Sequence, residues 1–435
     1  MRPSTWIQYG FWWAYLLLSP GVVFGGGYMI PHQTARALGL SNALNAGVTD
    51  PSAVYYNPAA LGEVDGNRII VSGSYINVIS RVENGGRAAV NERDGNFIPT
   101  LFANYHIPET DFTVGFGAYV PFGLATKYDR SFTRFAAQDT ELSTLFVTPA
   151  FSWRLSDYLS VGAGLSFVHA SGVFSRALCF DALLLDNGCA TVGGPFEGRI
   201  RISDSANAFT YNIGLLVKPR DDVKLVLSYR GRTDIHFDSA DVSFGGPFSL
   251  RKTKGNIRPL PLPPVIDVGI FWQINPQWGA EFVYEYTRWS DLKTFGVSFL
   301  PATTFVPLAA SVASFRLAEN WRNTSTLRLG GFYRLNGSIE FRAGIDVDET
   351  PIPRKTLNPA IPDASTLTLH AGIGYAWNKF SIDAGYMAAF YQTRKVFTSE
   401  LEGIPATGIP FLGAPGGEKY HAFINFVSLT AGYKF

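Results

Sequence analysis

Apolar and polar side chains alternate over ten consecutive residues in Ile339-Glu340-Phe341-Arg342-Ala343-Gly344-Ile345-Asp346-Val347-Asp348. Successive side chains of a β-strand point to opposite faces, so the apolar residues share one face and the charged residues share the other. The length also matches the roughly 9–11 residues that a tilted strand needs to cross a bilayer. The segment therefore favours a membrane-spanning strand, with lipid on one face and the interior of a β-barrel on the other.

The same alternation recurs along the chain, for example at residues 112–119 and 159–167. Short turns of turn-forming residues, such as Asn336-Gly337, alternate with long connections, such as 393–422. Outer-membrane barrels have this pattern, with the short turns on the periplasmic side.

Counting the alternating segments gives fourteen predicted strands, an even number that places both ends of the barrel on the periplasmic side. They span about residues 68–80, 97–106, 112–121, 140–154, 158–172, 205–218, 222–237, 264–274, 278–290, 323–335, 338–348, 365–377, 380–392 and 423–435. A soluble β-sandwich is the alternative, but it requires neither so many aromatic residues nor loops sorted by length. The prediction is an all-β fold, a 14-stranded antiparallel transmembrane β-barrel.

Composition agrees with a barrel and excludes two other classes of protein. The 435 residues include 44 glycines and are 14% aromatic and 16% charged, whereas an average soluble protein has about 25% charged residues. The mean hydropathy of +0.08 is too low for a helical membrane protein, but it is expected where apolar and polar residues alternate. The net charge of +1 provides no basic surface for nucleic acid.

The N-terminus carries the one helical apolar run of the sequence. Arg2 precedes the apolar run 11–18, which is followed by Pro20 and by a small residue suited to cleavage at Gly25. This arrangement is typical of a secretory signal peptide, assigned here to residues 1–25. An uncleaved anchor helix is the alternative, but the run is short for a bilayer span. We therefore expect export to the outer membrane of a Gram-negative cell.

The last predicted strand carries a separate signal. Val427, Leu429, Ala431, Tyr433 and Phe435 share one of its faces. A terminal aromatic residue on such a strand resembles the tag read by the barrel-assembly machinery, which is the expected partner during biogenesis.

The two cysteines, Cys179 and Cys189, are ten residues apart in a long predicted loop. In an exported protein they can form a disulfide, and two free thiols are the alternative. Their spacing is not that of a CxxC metal site, and neither a metal nor another cofactor is expected.

Residues 26–67 precede the first predicted strand and are rich in Ala, Gly and Asn. Such a segment has too little apolar surface to fold alone. Inside a fourteen-stranded barrel it would block the lumen, whereas the alternative is a disordered periplasmic tail. We therefore expect residues 26–67 to form a plug and residues 68–435 to form the barrel.

Several short motifs resemble those of the FadL family, the outer-membrane transporters of long-chain fatty acids and aromatic hydrocarbons. The family's N-terminal plug, or hatch, is resembled by Gln33-Thr34-Ala35-Arg36-Ala37-Leu38-Gly39 and by Asp50-Pro51-Ser52-Ala53, and its Asn-Pro-Ala motif by Asn57, Pro58 and Ala59. A family motif near the end of the third strand is resembled by Pro121-Phe122-Gly123-Leu124-Ala125-Thr126-Lys127-Tyr128, although the family more often has an acidic residue where this chain has Lys127. Further matches are Ser228-Tyr229-Arg230, Trp289-Ser290, Trp321-Arg322-Asn323, Arg342-Ala343-Gly344, Thr350-Pro351 and Pro362-Asp363.

The resemblance implies a mechanism of uptake. Ligand is captured by the extracellular loops, binds in the lumen, and leaves sideways through a gap in the wall once the hatch moves. The lateral gate would consist of Pro121, Phe122, Gly123 and Leu124. Proline removes a backbone donor and glycine weakens a strand, so both suit a break in the wall, although a plain strand end is the alternative. Lateral exit keeps an acyl chain out of water, where each exposed CH₂ costs about 0.8 kcal/mol.

The resemblance also implies the class of ligand. Long-chain fatty acids are expected, with aromatic hydrocarbons such as toluene, or the polar solutes of a general porin, as alternatives. A fatty-acid carboxylate requires a cation, and Arg230 and Arg342 are the candidates because both are inward-facing and lie in matched motifs. Most other inward charges are expected to form a structural network.

Catalytic chemistry is not expected. His169-Ala170-Ser171 and His370 supply histidine and serine, but no nucleophile elbow or catalytic arrangement accompanies them. The expected partners are a hydrophobic ligand, outer-membrane lipid and lipopolysaccharide, with no nucleic acid. Members of the family are usually monomers, and a monomer is expected here.

Overall fold

The computed structural model describes residues 26–93, 95–128, 131–179, 197–245, 253–305, 310–397 and 417–435. Within these ranges, fourteen strands form the wall of a closed barrel, each antiparallel to its neighbours. They are β1 (Arg68–Asn84), β2 (Asn96–His106), β3 (Phe112–Tyr119), β4 (Asp139–Ser156), β5 (Leu159–Cys179), β6 (Glu197–Arg220), β7 (Val223–Arg230), β8 (Val265–Gln273), β9 (Trp278–Thr287), β10 (Thr324–Arg334), β11 (Ile339–Asp348), β12 (Thr366–Trp377), β13 (Phe380–Tyr391) and β14 (Glu418–Lys434).

The ring closes where β14 pairs with β1, in a register that runs from Arg68↔Lys434 to Glu83↔Lys419. The predicted closed, 14-stranded, antiparallel barrel is confirmed. No helix within the described ranges is both long and apolar enough to cross a membrane.

Further elements lie between the wall strands and in the N-terminal segment, a name used here for residues 26–67. The helices are α1 (Ala35–Gly39) and α2 (Ala53–Tyr56), with 3₁₀ turns at Pro58–Glu63, Phe132–Phe135 and Trp289–Asp291. The remaining strands are Arg87–Val90, Gly123–Lys127, Thr233–Ile235, Ala240–Gly245, Thr253–Ile257, Leu260–Leu262, Thr294–Phe305, Ala310–Ala318 and Arg394–Val396.

Strand β11 has the two faces that its sequence predicts. Phe341 and Ile345 are 45% and 40% exposed on the outside of the wall, whereas Arg342 and Asp346 are 6% and 5% exposed. Large apolar side chains are likewise exposed on the other wall strands, which suits a surface that contacts lipid rather than water.

Several predicted strand ends are wrong by a few residues or more. Strands β5 and β6 pair with each other as far as Cys179↔Glu197, well beyond the predicted strand ends at residues 172 and 205. The predicted strand 112–121 ends at Tyr119 and the predicted strand 222–237 ends at Arg230. In each case the extent of pairing with a distant segment sets the end of the strand, and alternation within one segment does not report it.

The N-terminal segment packs against inward-facing groups of strands spread around the ring. The backbone N–H of Ala35 donates to the hydroxyl of Thr430 on β14 at 2.9 Å. On the β6 side, the Asn212 amide donates to the carbonyl of Val54 at 2.7 Å. Residues 35, 37–46 and 51–61 are buried. Residues with so little apolar surface of their own are therefore ordered by their contacts with the wall.

Candidate functional site

The wall is interrupted between the second and third strands. Pairing of β2 with β3 ends at Leu101↔Ala118, so residues 96–100 of β2 pair with β1 alone. The chain resumes as a strand at Gly123–Lys127, which pairs with β4 and not with β2. We call the opening between residues 96–100 and Gly123–Lys127 the wall gap.

Two prolines lie at the wall gap. Pro121 follows the end of β3, and Pro99 lies in the part of β2 that has lost its β3 neighbour. Proline has no backbone N–H and is found at strand edges, so both positions suit a break. Pro121 was selected from the sequence, whereas Pro99 was missed. The sequence feature that could have identified Pro99 is a proline inside an otherwise regular predicted strand.

The N-terminal segment replaces β2 as the neighbour of the interrupted strand. The N–H of Ile30 donates to the carbonyl of Pro121 at 2.7 Å, and the N–H of Gly123 donates to the carbonyl of Tyr28 at 3.0 Å. A Cβ on Gly123 would lie 2.8 Å from the end of the Ile30 side chain. The predicted gate residues Pro121, Phe122 and Gly123 therefore lie against the N-terminal segment.

A cavity of about 420 Å³ lies beside the wall gap, and we call it the lumen cavity. Its lining includes residues of the gap (Phe97, Pro99, Val120, Gly123), inward residues of distant strands (Arg328, Asp346, Met387, Phe426) and residues 26–32. It therefore joins the barrel interior to the break in the wall. Burial lowers the pKa of His32, one of its lining residues, to about 3, so this imidazole is neutral at ordinary pH.

A smaller cavity of about 120 Å³ lies beneath the long connections and is almost wholly apolar; we call it the apolar cavity. Its lining includes Leu142, Phe174, Phe237, Leu260, Leu292, Phe295 and Leu317. The side chains of Tyr28 and Leu124 line both cavities, so the two adjoin. Predicted gate residue Leu124 thus lies between a hydrophobic pocket and the wall gap.

The charged residues that line the apolar cavity are acidic. Glu141 and Glu319 contribute carboxyl groups, and no Lys or Arg is among its lining residues in the described ranges. Burial raises the pKa of Glu319 to about 7, and the indole N–H of Trp321 donates to its carboxyl at 2.8 Å. The cavity is thus suited to neutral hydrophobic groups rather than to anions.

An aromatic cluster lies beside both cavities. The ring of Tyr28 is 4.8 Å from Trp289 and 5.5 Å from Trp321, and the two indoles are 5.1 Å apart. Both tryptophans are almost fully buried, and burial raises the pKa of the Tyr28 hydroxyl, which donates to the carbonyl of Pro261 at 2.8 Å. Because Tyr28 belongs to the N-terminal segment, this cluster connects that segment to the loops.

The predicted Asn-Pro-Ala motif forms a capped turn. The Asn57 side chain accepts from the N–H of Ala59 at 3.1 Å and donates to the carbonyl of Asn45 at 3.2 Å. A Cβ on Gly162 of β5 would overlap the backbone of Pro58, and one on Gly214 of β6 would overlap the Asn57 amide.

Further contacts anchor the N-terminal segment to charged wall residues. The carboxylate of Glu281 accepts from the N–H groups of Ala46 and Gly47, each at 2.7 Å. The carboxyl of Asp346 accepts from the Ser41 hydroxyl at 2.7 Å and contacts the ring of His370 at the same distance. These inward charges bind backbone and side chains of the segment, a structural role that the sequence alone could not assign to individual residues.

The two predicted ligand cations are both paired with carboxylates. Arg230 lies 3.0 Å from Asp267 and 3.3 Å from Glu285. Arg342 lies 2.8 Å from Glu340 and 2.5 Å from Asp383. This pairing favours a structural role for both, and ligand binding by either stays a prediction.

Two further predictions fall outside the described residues. Cys189 and the proposed signal peptide 1–25 are not described, so the Cys179–Cys189 disulfide and the cleavage site stay predictions. Among the described residues, no cluster of His, Cys, Asp and Glu could hold a metal ion.

Comparison with known proteins identifies similar sequences and folds. A family model described as "Outer membrane protein transport protein (OMPP1/FadL/TodX)" matches residues 16–434. Outer membrane protein P1 of Haemophilus influenzae Rd is 24% identical over 97% of both chains. The long-chain fatty acid transport protein of Escherichia coli K12 is 23% identical, over 86% of this chain and 90% of that protein.

Solved structures share the fold. A FadL homologue of Pseudomonas aeruginosa superposes with a TM-score of 0.79 at 22% identity, over 94% of this chain and all of that chain. The toluene transporter TodX of Pseudomonas putida gives 0.68 at 18% identity, over 91% of this chain and 98% of that chain. At these identities the structural likeness supports the fold alone.

Proposed function

Because the chain belongs to the OMPP1/FadL/TodX family of outer-membrane β-barrel transporters of hydrophobic compounds, we propose that it takes up hydrophobic molecules by lateral exit through the wall gap. Its location is the outer membrane of a Gram-negative cell. The family and the fold are those of transporters and channels rather than enzymes. One observation carries the proposal: the lumen cavity is lined both by inward residues of distant strands and by the edges of the wall gap.

The proposed path has three stages. Ligand enters from the long connections into the apolar cavity, moves past Tyr28 and Leu124 into the lumen cavity, and leaves between Phe97 and Gly123. Phe97 is 69% exposed at the rim of the gap, which gives the exit an apolar edge. Along this path apolar side chains are available to the ligand in both cavities, which lowers the cost of exposing an apolar molecule to water.

We assign the N-terminal segment, residues 26–67, as a hatch and residues 68–435 as the barrel. The hydrogen bonds to Glu281, Asp346 and Thr430 support a hatch that fills the lumen in this conformation. Passage of ligand then requires movement of part of this segment, because residues 26–32 form one wall of the lumen cavity. Capture in the loops, a bilayer of outer-membrane lipid and lipopolysaccharide, assembly by the barrel-assembly machinery and a monomeric state belong to the same proposal.

Long-chain fatty acids are the proposed ligands. The similarity to the Escherichia coli long-chain fatty acid transport protein supports this choice. Arg328 is the arginine that lines the lumen cavity among the described residues, and it pairs with Glu285 at 2.9 Å. The lumen cavity is also lined by four acidic residues in the described ranges, so Arg328 is the lining group there that would attract the carboxyl of an acyl chain held in the apolar cavity.

Aromatic hydrocarbons are the second candidate, and one observation favours them. The apolar cavity has acidic but no basic lining residues in the described ranges, and Glu319 has a pKa of about 7. A neutral molecule such as toluene needs no cation there. The similarity of the fold to the toluene transporter TodX accords with this candidate.

Uptake measurements test the proposal and separate the two candidates. Cells that have this chain as their one transporter for hydrophobic compounds would receive labelled oleate or labelled toluene. We expect uptake of at least one above that of cells carrying the empty vector, at equal surface levels of protein. Uptake of neither ligand would contradict the proposed function, and passage of small polar solutes instead would favour a general porin.

A further inference from the structure

The side chain of Gln33, in the N-terminal segment, takes the place of a missing strand neighbour. Its carboxamide NH₂ donates to the carbonyl of Val120 at 3.1 Å, and its carboxamide oxygen accepts from the N–H of the same residue at 3.1 Å. A carboxamide offers one acceptor and two donors, so it can satisfy both backbone groups of a strand residue at once. Gln33 is fully buried, so no water competes for these groups.

The position of Val120 explains why a substitute is needed. In the β2–β3 register the paired residue numbers add to 219, as in Leu101↔Ala118. If this register continued by two more residues, Val120 would lie opposite Pro99. Proline has no N–H to donate, so β2 cannot supply the donor that the Val120 carbonyl would need from that position.

Gln33 is also connected to the other edge of the wall gap. The hydroxyl of Thr100 on β2 donates to the backbone carbonyl of Gln33 at 2.7 Å. The same residue therefore contacts both strands at the point where they separate. On the hatch side, its NH₂ group donates to the carbonyl of Ile30 at 2.5 Å.

From this geometry we propose that Gln33 is a positioning residue that couples the seat of the N-terminal segment to the shape of the wall gap. This inference rests on the proposed function for its purpose, but its structural part stands by itself. While Gln33 is in place, Val120 is held away from β2 and the gap stays open. When the segment moves, Val120 loses both of its hydrogen-bond partners together, so the hatch and the gate change as one unit.

The first variant is Gln33→Met, which keeps the length of the side chain and removes both its donor and its acceptor. The N–H and carbonyl of Val120 and the carbonyl of Ile30 then lose this partner. We expect backbone amide exchange in peptides covering residues 119–124 of the purified full chain to rise at least about ten-fold, as expected for a buried hydrogen bond that is lost. The maximal rate of uptake should fall more than the KM changes, because the ligand-lining residues are untouched.

The matched control is Thr34→Ala, which removes the hydroxyl that accepts from the N–H of Ala37 at the start of α1. It should raise exchange in α1 and leave residues 119–124 unchanged. The coupling between the N-terminal segment and the wall gap would be overturned by either of two results. One is equal exchange at residues 119–124 in the unmodified protein and in both variants, and the other is an equal rise in both variants. Since exchange is measured without ligand, a chain that transports neither oleate nor toluene would still test Gln33.

A second variant keeps the inference testable if Gln33→Met does not fold. Pro99→Val restores a backbone donor opposite Val120, so β2 can compete with Gln33 for the Val120 carbonyl. We expect lower uptake with residues 119–124 still protected. The single variant Gln33→Ala should lose protection from amide exchange at residues 119–124. The double variant with Pro99→Val should regain that protection without regaining uptake. Unchanged uptake in Pro99→Val, or no restored protection in the double variant, would contradict the inference.

Discussion

Two adjacent-strand pairs of the same barrel wall behave in opposite ways. Strands β5 and β6 pair without a register shift from Leu159↔Val217 to Cys179↔Glu197, whereas β2 and β3 pair only from His106↔Thr113 to Leu101↔Ala118. Both pairs contact the N-terminal segment. At β5–β6 the segment packs against two fully paired strands. At β2–β3 it supplies hydrogen bonds that strand pairing would otherwise supply.

The difference lies in what the wall offers the N-terminal segment. Gly162 and Gly214 leave space on β5 and β6 into which Pro58 and Asn57 fit closely. At the wall gap, the segment instead supplies backbone and side-chain hydrogen bonds to residues 120–123. One contact depends on shape and the other on unsatisfied polar groups, so substitutions should separate them.

Deletion of residues 26–60 gives the largest expected effect, because it removes the segment from both regions. We expect a barrel that conducts no ions to become a porin-like ion channel in planar bilayers. The reason is that the lumen of a fourteen-stranded barrel is wide and would no longer be filled by the segment. Amide exchange should rise at residues 119–124 and stay low in β5 and β6. An unchanged conductance in the folded variant would contradict the hatch assignment.

Gly123→Trp tests the wall gap together with its contact to the N-terminal segment, because a Cβ at this position already meets the side chain of Ile30. The indole would fill the opening beside Phe97, so we expect nearly complete loss of oleate and toluene uptake with no change in heat-modifiable migration of the barrel on gels. Gly337→Trp is the control, since a Cβ on this turn glycine meets nothing within 4 Å. Normal uptake in Gly123→Trp would exclude lateral exit at this position.

Gly162→Ala and Gly214→Ala test the shape-dependent contact. The methyl added at Gly162 would overlap the backbone of residues 58 and 59, and the methyl added at Gly214 would overlap residue 57. Overpacking of this kind typically costs about 1–3 kcal/mol. We expect faster exchange in the 3₁₀ turn Pro58–Glu63 while exchange at 119–124 changes less. The matched control is Gly337→Ala. If all three variants exchange alike, close packing at β5–β6 does not seat the segment.

The smallest expected effect is a pH dependence at the apolar cavity. The folded chain raises the pKa of Glu319 from 4.5 to about 7, so the protonated form is the one that the fold favours. Its contribution to stability is complete below the ordinary pKa and is lost as pH rises through about 7. Toluene should therefore bind a few-fold more weakly at pH 8 than at pH 6, as measured by fluorescence or calorimetric titration.

The variant Glu319→Gln should flatten this dependence. Glu141 also lines the cavity and is unchanged in the variant, so it serves as an internal control. A pH dependence that persists undiminished would assign the effect to another group.

The sequence predicts the barrel well because its signals are local. Alternation in residues 339–348 reports the two faces of one strand, and turn residues such as Asn378, with a φ of 52°, mark where strands end. Pro121 and Gly123 also favoured a break in the wall, although the sequence left a plain strand end as the alternative. These features follow from chemistry within a few residues of each other.

The candidate site was only partly predictable, because its contacts join distant segments. The pairing of Arg230 with Asp267 depends on the register between β7 and β8, and no single segment contains that information. The same holds for the contact of Gln33 with Val120 and for the contacts of Tyr28 with two tryptophans. Residue types could be selected from motifs, but their partners required the closed ring.

Closure of the ring has a consequence for the order of folding. The β1–β14 seam joins residues separated by almost the whole barrel sequence, as in Arg68↔Lys434, and contacts of such separation form late because the intervening chain must first be organised. Residues 26–67 are attached directly to β1. We therefore expect the segment to enter before the seam closes, so that the last hydrogen bonds of the wall form around it.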